Sequence, residues 1–275
     1  MAQQMSGVMD AAFDALRYEP TAKRIRVTLA GEPVADTDRA RLVWEPRRIV
    51  PAYAVPFDAL RAQLAPAGAE SGSQEHAPAS VDRTRRTLDP TVPFTAHSCE
   101  GTAFDVVAGE ETGAAAAFRP ADPDFADYVV LDFAVFGWRE ESEPVVSHPR
   151  DPFHRIDVLR STRHVRVEYE GRLLAESSRP LLLFETNLPM RCYLPPEDVG
   201  ELTPSDTVSY CAYKGRATYY SVPGGPRDIA WTYREPLHDG APVRDHVCFF
   251  DERVDVIVDG TKGERPVTQW SESGG

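Results

Sequence analysis

The sequence predicts a mainly β protein built from two tandem copies of one compact β domain, with few short helices. Three observations predict this class: the chain matches itself at a fixed spacing, apolar and polar residues alternate in both halves, and the runs between turns are short and rich in β-branched and aromatic residues. With 275 residues, the chain is long enough for two domains with ordinary cores.

The duplication is clearest at an offset of 140 residues. Arg26 to Asp58 aligns with Arg166 to Asp198 without a gap and gives ten identities in 33 positions. Average composition would give about two. The identical pairs are Arg26/Arg166, Val27/Val167, Gly31/Gly171, Ala35/Ala175, Arg39/Arg179, Leu42/Leu182, Glu45/Glu185, Tyr53/Tyr193, Pro56/Pro196 and Asp58/Asp198.

Two later segments extend the repeat at smaller offsets. T-A-H-S-C-E-G-T-A (95–103) pairs with S-Y-C-A-Y-K-G-R-A (209–217), and R-I-D-V (155–158) pairs with R-V-D-V (253–256). The change of offset predicts an inserted surface loop at about 62–87, where small and polar residues predominate. We therefore expect a first copy over 20–160 and a second over 161–262, with a junction near Ser161.

The periodicity within each copy is mostly two, as expected for strands. R-I-R-V-T-L-A-G-E-P-V-A and H-V-R-V-E-Y-E-G-R-L-L-A alternate around a glycine, which predicts a hairpin in each copy. R-A-T-Y-Y-S-V, D-I-A-W-T-Y, H-V-C-F-F and R-V-D-V-I-V-D-G predict further short strands. Helix is expected only in short pieces, such as Met9–Leu16 and Pro56–Leu64.

Charge and cysteine content exclude several classes. The net charge of -13 repels nucleic acid and anionic lipid, so we expect neither as a partner. The N-terminus lacks the pattern of a secretory signal and no stretch is apolar enough to span a bilayer, which predicts a cytoplasmic protein. The four cysteines contain no C-x-x-C pair and no two histidines are spaced i, i+4, so we expect free thiols, no metal and no cofactor.

The second copy carries strings that point to a known family. E-T-N-L-P-M-R-C-Y-L-P-P-E-D-V (185–199), S-Y-C-A-Y-K-G-R-A-T-Y-Y-S-V, D-I-A-W-T-Y-R-E-P and D-E-R-V-D-V-I-V-D-G resemble the bacterial domain of unknown function 427 family, which is sometimes labelled nucleotidyltransferase-like. The resemblance implies a compact fold of the β-tent type and no settled biochemistry. A phosphate loop of the form G-x-x-x-x-G-K, which would support the label, does not occur in the sequence.

Three residues are candidates for catalysis. Lys214 is one of only three lysines, and it lies between Tyr213 and Gly215 before a predicted strand, where it would act as nucleophile, base or anion anchor, or be an exposed turn lysine. Cys211 would be a nucleophile beside that cation, or a buried structural thiol. Glu185 ends an apolar strand and would be a general acid or base, or form a structural ion pair with Arg179.

Four more residues are candidates for substrate binding. Arg191 would hold a carboxylate or phosphate, or be a solvated surface arginine. Tyr193 follows it in P-M-R-C-Y-L-P and would bind the substrate or be structural, as its match with Tyr53 favours. Trp231 and Glu235 alternate with Tyr233 and would share one strand face as a ligand platform, although strand aromatics usually lie in a core. His97 and Glu100 of the first copy align with Cys211 and Lys214, which indicates that only the second copy keeps the polar constellation.

Three hypotheses follow, of which the last is a purely structural role without a shared pocket. The first is a small-molecule enzyme with one pocket in the second copy and an anionic or carbonyl-bearing substrate. The alternative is a non-catalytic module that binds a metabolite or a protein. The sequence leaves the reaction, the substrate, the role of the first copy and the oligomeric state open.

Overall fold

The computed structural model describes residues 2–68, 92–268 and 270–271. The chain divides into two compact units, residues 1–151 and 152–275. Each unit has one seven-stranded and one four-stranded antiparallel sheet, so the predicted fold class of two similar β-rich halves is confirmed. No helix in the described ranges is long and apolar enough to cross a membrane.

The first unit begins with helix α1 (Met5–Ala12) and continues almost entirely as strands. Its sheets have the orders β1-β4-β5-β9-β8-β7-β6 and β11-β10-β2-β3. The strands are β1 (Arg17–Pro20), β2 (Ile25–Leu29), β3 (Glu32–Thr37), β4 (Arg41–Trp44), β5 (Ala52–Pro56), β6 (Gln63–Pro66), β7 (Gly101–Ala108), β8 (Glu111–Pro120), β9 (Tyr128–Leu131), β10 (Gly137–Glu140) and β11 (Glu143–Pro144).

The second unit repeats this order of strands. Its sheets are β12-β15-β16-β20-β19-β18-β17 and β14-β13-β21-β22. The strands are β12 (Ile156–Arg160), β13 (Val165–Tyr169), β14 (Arg172–Ser177), β15 (Leu181–Glu185), β16 (Arg191–Leu194), β17 (Thr203–Cys211), β18 (Gly215–Ser221), β19 (Ala230–Thr232), β20 (Val247–Phe249), β21 (Asp255–Val258) and β22 (Thr261–Lys262).

The two predicted hairpins are confirmed as β2–β3 and β13–β14. Both turn through a pair of residues with positive φ, Ala30 (50°) with Gly31 (97°) and Glu170 (49°) with Gly171 (78°). Two consecutive left-handed residues match the right-handed twist of the flanking strands, which explains why glycine recurs at the second position.

Each unit has a hydrophobic core formed by both of its sheets. In the second unit this core contains Val165 and Val167 of the small sheet and Leu182, Leu194 and Phe249 of the large one. Alternating side chains of each strand supply it, as the sequence pattern predicts. The other face of the large sheet carries a separate cluster of side chains, and the candidate site lies there.

Two parts of the sequence-based repeat are wrong. The segments 155–158 and 253–256 are not copies of one element, because the first enters β12 of the large sheet and the second enters β21 of the small sheet, both in the second unit. Strand β12 pairs with β15, so it lies in the second unit although the expected junction near Ser161 assigns it to the first. The repeat instead continues at the offset of 140 back to Phe13 and Phe153.

The gapless alignment also misplaces its last identities. In the first unit Tyr53 is opposite Leu42, whereas in the second unit Cys192 is opposite Leu182, which is the equivalent of Leu42. The second copy is thus one residue shorter in the turn between these strands. A shift of one residue turns a side chain to the other sheet face. Tyr53 accordingly lies in the core between the sheets, while Tyr193 lies on the opposite face.

The predicted helices differ from the observed ones. The N-terminal helix is Met5–Ala12 rather than Met9–Leu16. In the segment Pro56–Leu64 only Phe57–Ala59 forms a 3₁₀ turn, because Leu60 is extended and bridges to Ala35. The predicted insertion at 62–87 includes β6, which pairs with β7, and its residues 69–87 lie outside the described residues.

Candidate functional site

The candidate site lies on the face of the second unit's large sheet that points away from the core between the sheets. We call it the aromatic face and define it by Tyr193, Tyr219, Trp231, Tyr233 and Phe250. The first three meet through the register of adjacent strands, since Tyr193 and Trp231 are both opposite Cys248, and Trp231 is opposite Tyr219. Trp231 Nε1 donates a hydrogen bond to Tyr193 Oη at 3.1 Å, so both polar atoms are satisfied in this apolar setting.

A buried carboxylate lies at the edge of the aromatic face, where β15 ends at Glu185. One carboxylate oxygen, Oε2, accepts a hydrogen bond from Lys214 Nζ, and the other, Oε1, is 3.0 Å from His154 Nε2. The side chains of Glu185 and Lys214 are only 6% and 8% exposed. Burial alone would raise the pKa of Glu185, but the hydrogen bond from His154 and the charge of Lys214 outweigh it and lower the pKa to about 2.

The backbone around Lys214 holds its side chain against Glu185. Gly215 has a φ of 92°, a conformation that favours glycine, and the next strand begins there. Leu237 N donates to Lys214 O at 3.0 Å. Gly240 packs so closely that an added Cβ would lie 3.0 Å from Lys214 Cα. These contacts explain the glycine after the lysine in the Y-K-G string.

His154 was not predicted as a site residue. Its ring stacks on Tyr213 with the centroids 4.1 Å apart, which places it between the tyrosine and Glu185. A sequence signal does exist, because the repeat at an offset of 140 extends back to Phe13 and Phe153 and so places the next residue, His154, in the second copy. Glu185 is thus bound by Lys214 and His154, and Arg179, its expected partner, pairs with Glu197 and Asp198 instead.

Cys211 lies on the same side of the sheet as this cluster. It is opposite Gly215 in the β17–β18 ladder, and its Sγ accepts a hydrogen bond from Lys214 N at 3.4 Å. The Cys211 thiol is half-buried, and all four cysteines are free, as predicted. The turn between β17 and β18 therefore brings Cys211 and Lys214 together.

Arg191 is buried, and it is not a solvated surface arginine. Its NH1 and NH2 groups bind the two carboxylate oxygens of Glu252 at 2.9 and 2.5 Å. The guanidinium carbon lies 5.7 Å from the ring centres of both Trp231 and Trp270. Thr268 Oγ1 adds a hydrogen bond of 2.6 Å to Glu252. A bidentate pair of this kind uses the groups with which Arg191 would otherwise bind a substrate carboxylate.

Glu235 does not join the aromatic face. Strand β19 ends at Thr232, so the predicted alternation of Trp231, Tyr233 and Glu235 stops after the second aromatic residue. Trp231 and Tyr233 are buried in the aromatic cluster, whereas Glu235 is exposed. The three side chains would share one side only if the strand continued to Glu235. The chain instead leaves the sheet and continues into the 3₁₀ segment His238–Val243.

A cleft of about 270 Å³ lies elsewhere in the second unit. Asp251 lines it together with Met190, Val254 and other residues, whereas Lys214, Cys211, Glu185 and Trp231 do not. Burial raises the pKa of Asp251 to about 6, against the lowering effect of Arg191. Asp251 and Glu252 begin the D-E-R-V-D-V string. They were not predicted as site residues, because two acidic residues in sequence do not by themselves indicate a site.

The first unit has a related but different cluster. Glu45 directly follows β4, at the position equivalent to Glu185 at the end of β15. Its Oε1 is 3.0 Å from His97 Nδ1, and its Oε2 accepts a hydrogen bond from Ser98 N at 2.7 Å. The strand pairing indicates that Ser98, rather than Glu100, is equivalent to Lys214. Phe118 and Trp231 occupy equivalent positions, and they pair with Ala103 and Tyr219, respectively. Counting back from Ala103 and Tyr219 by the same number of residues leads to Ser98 and Lys214. The lysine is thus replaced by a neutral residue.

Within the described part of the chain, no group of three or more His, Cys, Asp and Glu side chains is arranged to hold a metal ion. Residues 157–260 match the family described as a domain of unknown function (DUF427). No curated protein matches the chain. The matched range includes Glu185, Lys214 and Cys211, and it begins after His154.

Proposed function

We propose that the second unit is a small-molecule enzyme, with its site on the aromatic face at Lys214, Glu185, His154 and Cys211. The observation that carries the proposal is the buried Glu185 carboxylate, which binds a lysine and a histidine at the same time. Ionisable groups are seldom buried without a partner, and clusters of this kind are common at functional sites.

The electrostatics favour particular roles. The Glu185 carboxylate and the Lys214 ammonium group form a buried ion pair. Lys214 then acts as the group that binds an anionic or carbonyl oxygen of the substrate, rather than as an amine nucleophile. His154, whose Nε2 lies 3.0 Å from Glu185 Oε1, is the candidate for proton exchange with the substrate. Cys211, beside the same turn, is the candidate nucleophile.

The alternative is a module that binds a metabolite without chemistry. The specific observation in its favour is the internal pairing of both buried cations, Lys214 with Glu185 and Arg191 with Glu252. Such pairs preorganise a surface without leaving a reactive group. In this case a ligand would bind at the aromatic face, and Cys211 would play no part.

A thermal-shift screen of small carboxylates, phosphates and carbonyl compounds tests the site. A compound that binds the native state raises the melting temperature by mass action. We expect at least one compound to do so with the wild type and with Lys262→Met, whose lysine is an exposed one, but not with Lys214→Met. A shift that survives in Lys214→Met, or the lack of any shift with the wild type, contradicts the proposal.

Turnover distinguishes the enzyme from the binding module. The compounds that bind are incubated with the protein and followed by mass spectrometry. Conversion by the wild type that is lost in Cys211→Ala or His154→Gln supports the enzyme. Binding without conversion supports the alternative.

A further inference from the structure

The cleft lined by Asp251 is separate from the proposed site. Its volume is about 270 Å³, and its walls include the apolar side chains of Met190, Val254, Val256 and Val258. This is slightly less than the usual range for drug-sized ligands, about 300–1,000 Å³. The size suits a short aliphatic molecule.

Asp251 supplies a carboxylate that the protein only partly neutralises. Arg191 directs both of its terminal nitrogens to Glu252, at 2.9 and 2.5 Å, and reaches Asp251 only at 3.6 Å. One guanidinium thus serves two carboxylates. The Asp251 side chain is 16% exposed, so the remaining charge has little water to stabilise it.

The basic groups at the cleft are already bound to other carboxylates. Arg163 Nε lies 2.7 Å from Asp259, and Arg265 NH2 lies 3.1 Å from Asp255. An anionic ligand would have to compete with these ion pairs, whereas a cation would meet the unbalanced carboxylate directly. The charges therefore favour a positively charged ligand.

We propose that this cleft binds a small aliphatic ammonium ion, with its nitrogen on the Asp251 carboxylate and its hydrocarbon part against the valine side chains. The ligand class combines the two features of the cleft, an excess of negative charge at Asp251 and an apolar wall. Binding at this place is independent of the proposed chemistry at Lys214.

The affinity should depend on pH. Burial raises the pKa of Asp251 to about 6, so an ammonium ion should bind more tightly at pH 8 than at pH 5, where the carboxyl is protonated. The charged and titratable groups that face Asp251 or line its cleft are Arg191, Glu252, Cys192, Cys248, Arg163, Glu264 and Arg265.

Calorimetry on the full chain tests the proposal with 3-methylbutylammonium as the probe. Ammonium chloride is the control without hydrocarbon, and 3-methylbutanoate is the control with the opposite charge. We expect the probe alone to bind, and Asp251→Asn to weaken it roughly tenfold or more because an ionic hydrogen bond is lost. Asp157→Asn removes an exposed carboxylate on β12 and should leave the affinity unchanged.

A second readout does not depend on a variant. In the wild type with ¹³C-labelled aspartate, saturation with the probe should lower the pKa of the Asp251 carboxyl. Equal affinity of the wild type and Asp251→Asn, binding of 3-methylbutanoate in place of the amine, no binding of any probe, or an unchanged Asp251 titration would each overturn the proposal.

Discussion

Glu45 and Glu185 occupy equivalent positions of the two units, yet a histidine and a backbone amide bind the first and a lysine and a histidine bind the second. Both carboxylates are buried, so each requires partners. Only the second unit supplies a full positive charge, from Lys214. This difference between two copies of one fold is the basis of the functional proposal.

The buried ion pair should matter strongly for stability. Lys214→Met leaves the Glu185 carboxylate without its lysine, and we expect the free energy of unfolding to fall by about 3–5 kcal/mol. Lys262→Met breaks an exposed pair with Asp255 and should cost at most about 1 kcal/mol. Urea denaturation measures both variants.

The double variant Lys214→Met with Glu185→Gln controls for the loss of packing. It removes both charges at once and should recover a large part of the stability. If the double variant is as unstable as Lys214→Met alone, the uncompensated charge of Glu185 is not the cause.

The acid dependence of stability should report Glu185. Its pKa is lowered to about 2 in the folded protein, from an ordinary value of 4.5. The stabilisation is therefore present above about pH 4.5 and is lost as the pH falls towards 2. The shift corresponds to on the order of 3 kcal/mol. Comparing the unfolding free energy of the wild type and Glu185→Gln between pH 2 and 6 checks it, and parallel curves would refute this assignment.

Asp251 should have the opposite dependence. Its pKa is raised to about 6 from 3.8, so the folded state binds the proton more tightly than the unfolded state. Stability at this residue therefore falls as the pH rises from about 4 to 6. Relative to the wild type, Asp251→Asn should gain on the order of 3 kcal/mol over this interval. Denaturation curves at pH 4 and pH 7 measure the change, and a constant difference between the two proteins would contradict it.

Cysteine alkylation should be selective. Burial raises the pKa of Cys99 and of Cys192 to about 12, and it raises the pKa of Cys248 well above the usual value. These three thiols stay protonated at pH 8 and should react slowly. We expect iodoacetamide to label Cys211 first in the native protein and all four after denaturation, as peptide mass spectrometry would show. If Cys211 is labelled no faster than Cys192, the proposed role of Cys211 as a nucleophile is contradicted.

Local patterns predicted the sheets well but not their equivalences. The alternation in H-V-R-V-E-Y and the glycine after it determine a hairpin from neighbouring residues alone, and β13–β14 forms as expected. The one-residue difference in the turn before β16 has no such local signal. The side-chain directions of Tyr53 and Tyr193 depend on it, and only the pairing with neighbouring strands reveals it.

The candidate site could be predicted only in part, because local sequence patterns do not reveal contacts between distant segments. Lys214, Glu185 and Cys211 stood out by residue type and position, and the structure brings them together. The partner of Arg191 could not be predicted, because Glu252 is 61 residues away in the chain and the two meet only through folding. Glu235 was misjudged because β19 ends before it.

We expect Lys214, held by Glu185, to bind a small anionic or carbonyl-bearing ligand. NMR of the full chain with ¹³Cε-labelled lysine tests it directly, because the chain contains only three lysines and Lys214→Met assigns the relevant signal. During titration with small carboxylates, phosphates and carbonyl compounds, we expect one of them to shift the Lys214 signal to saturation and to leave the Lys23 and Lys262 signals unchanged. Shifts confined to Lys23 and Lys262, or equal and unsaturable shifts of all three, would contradict it.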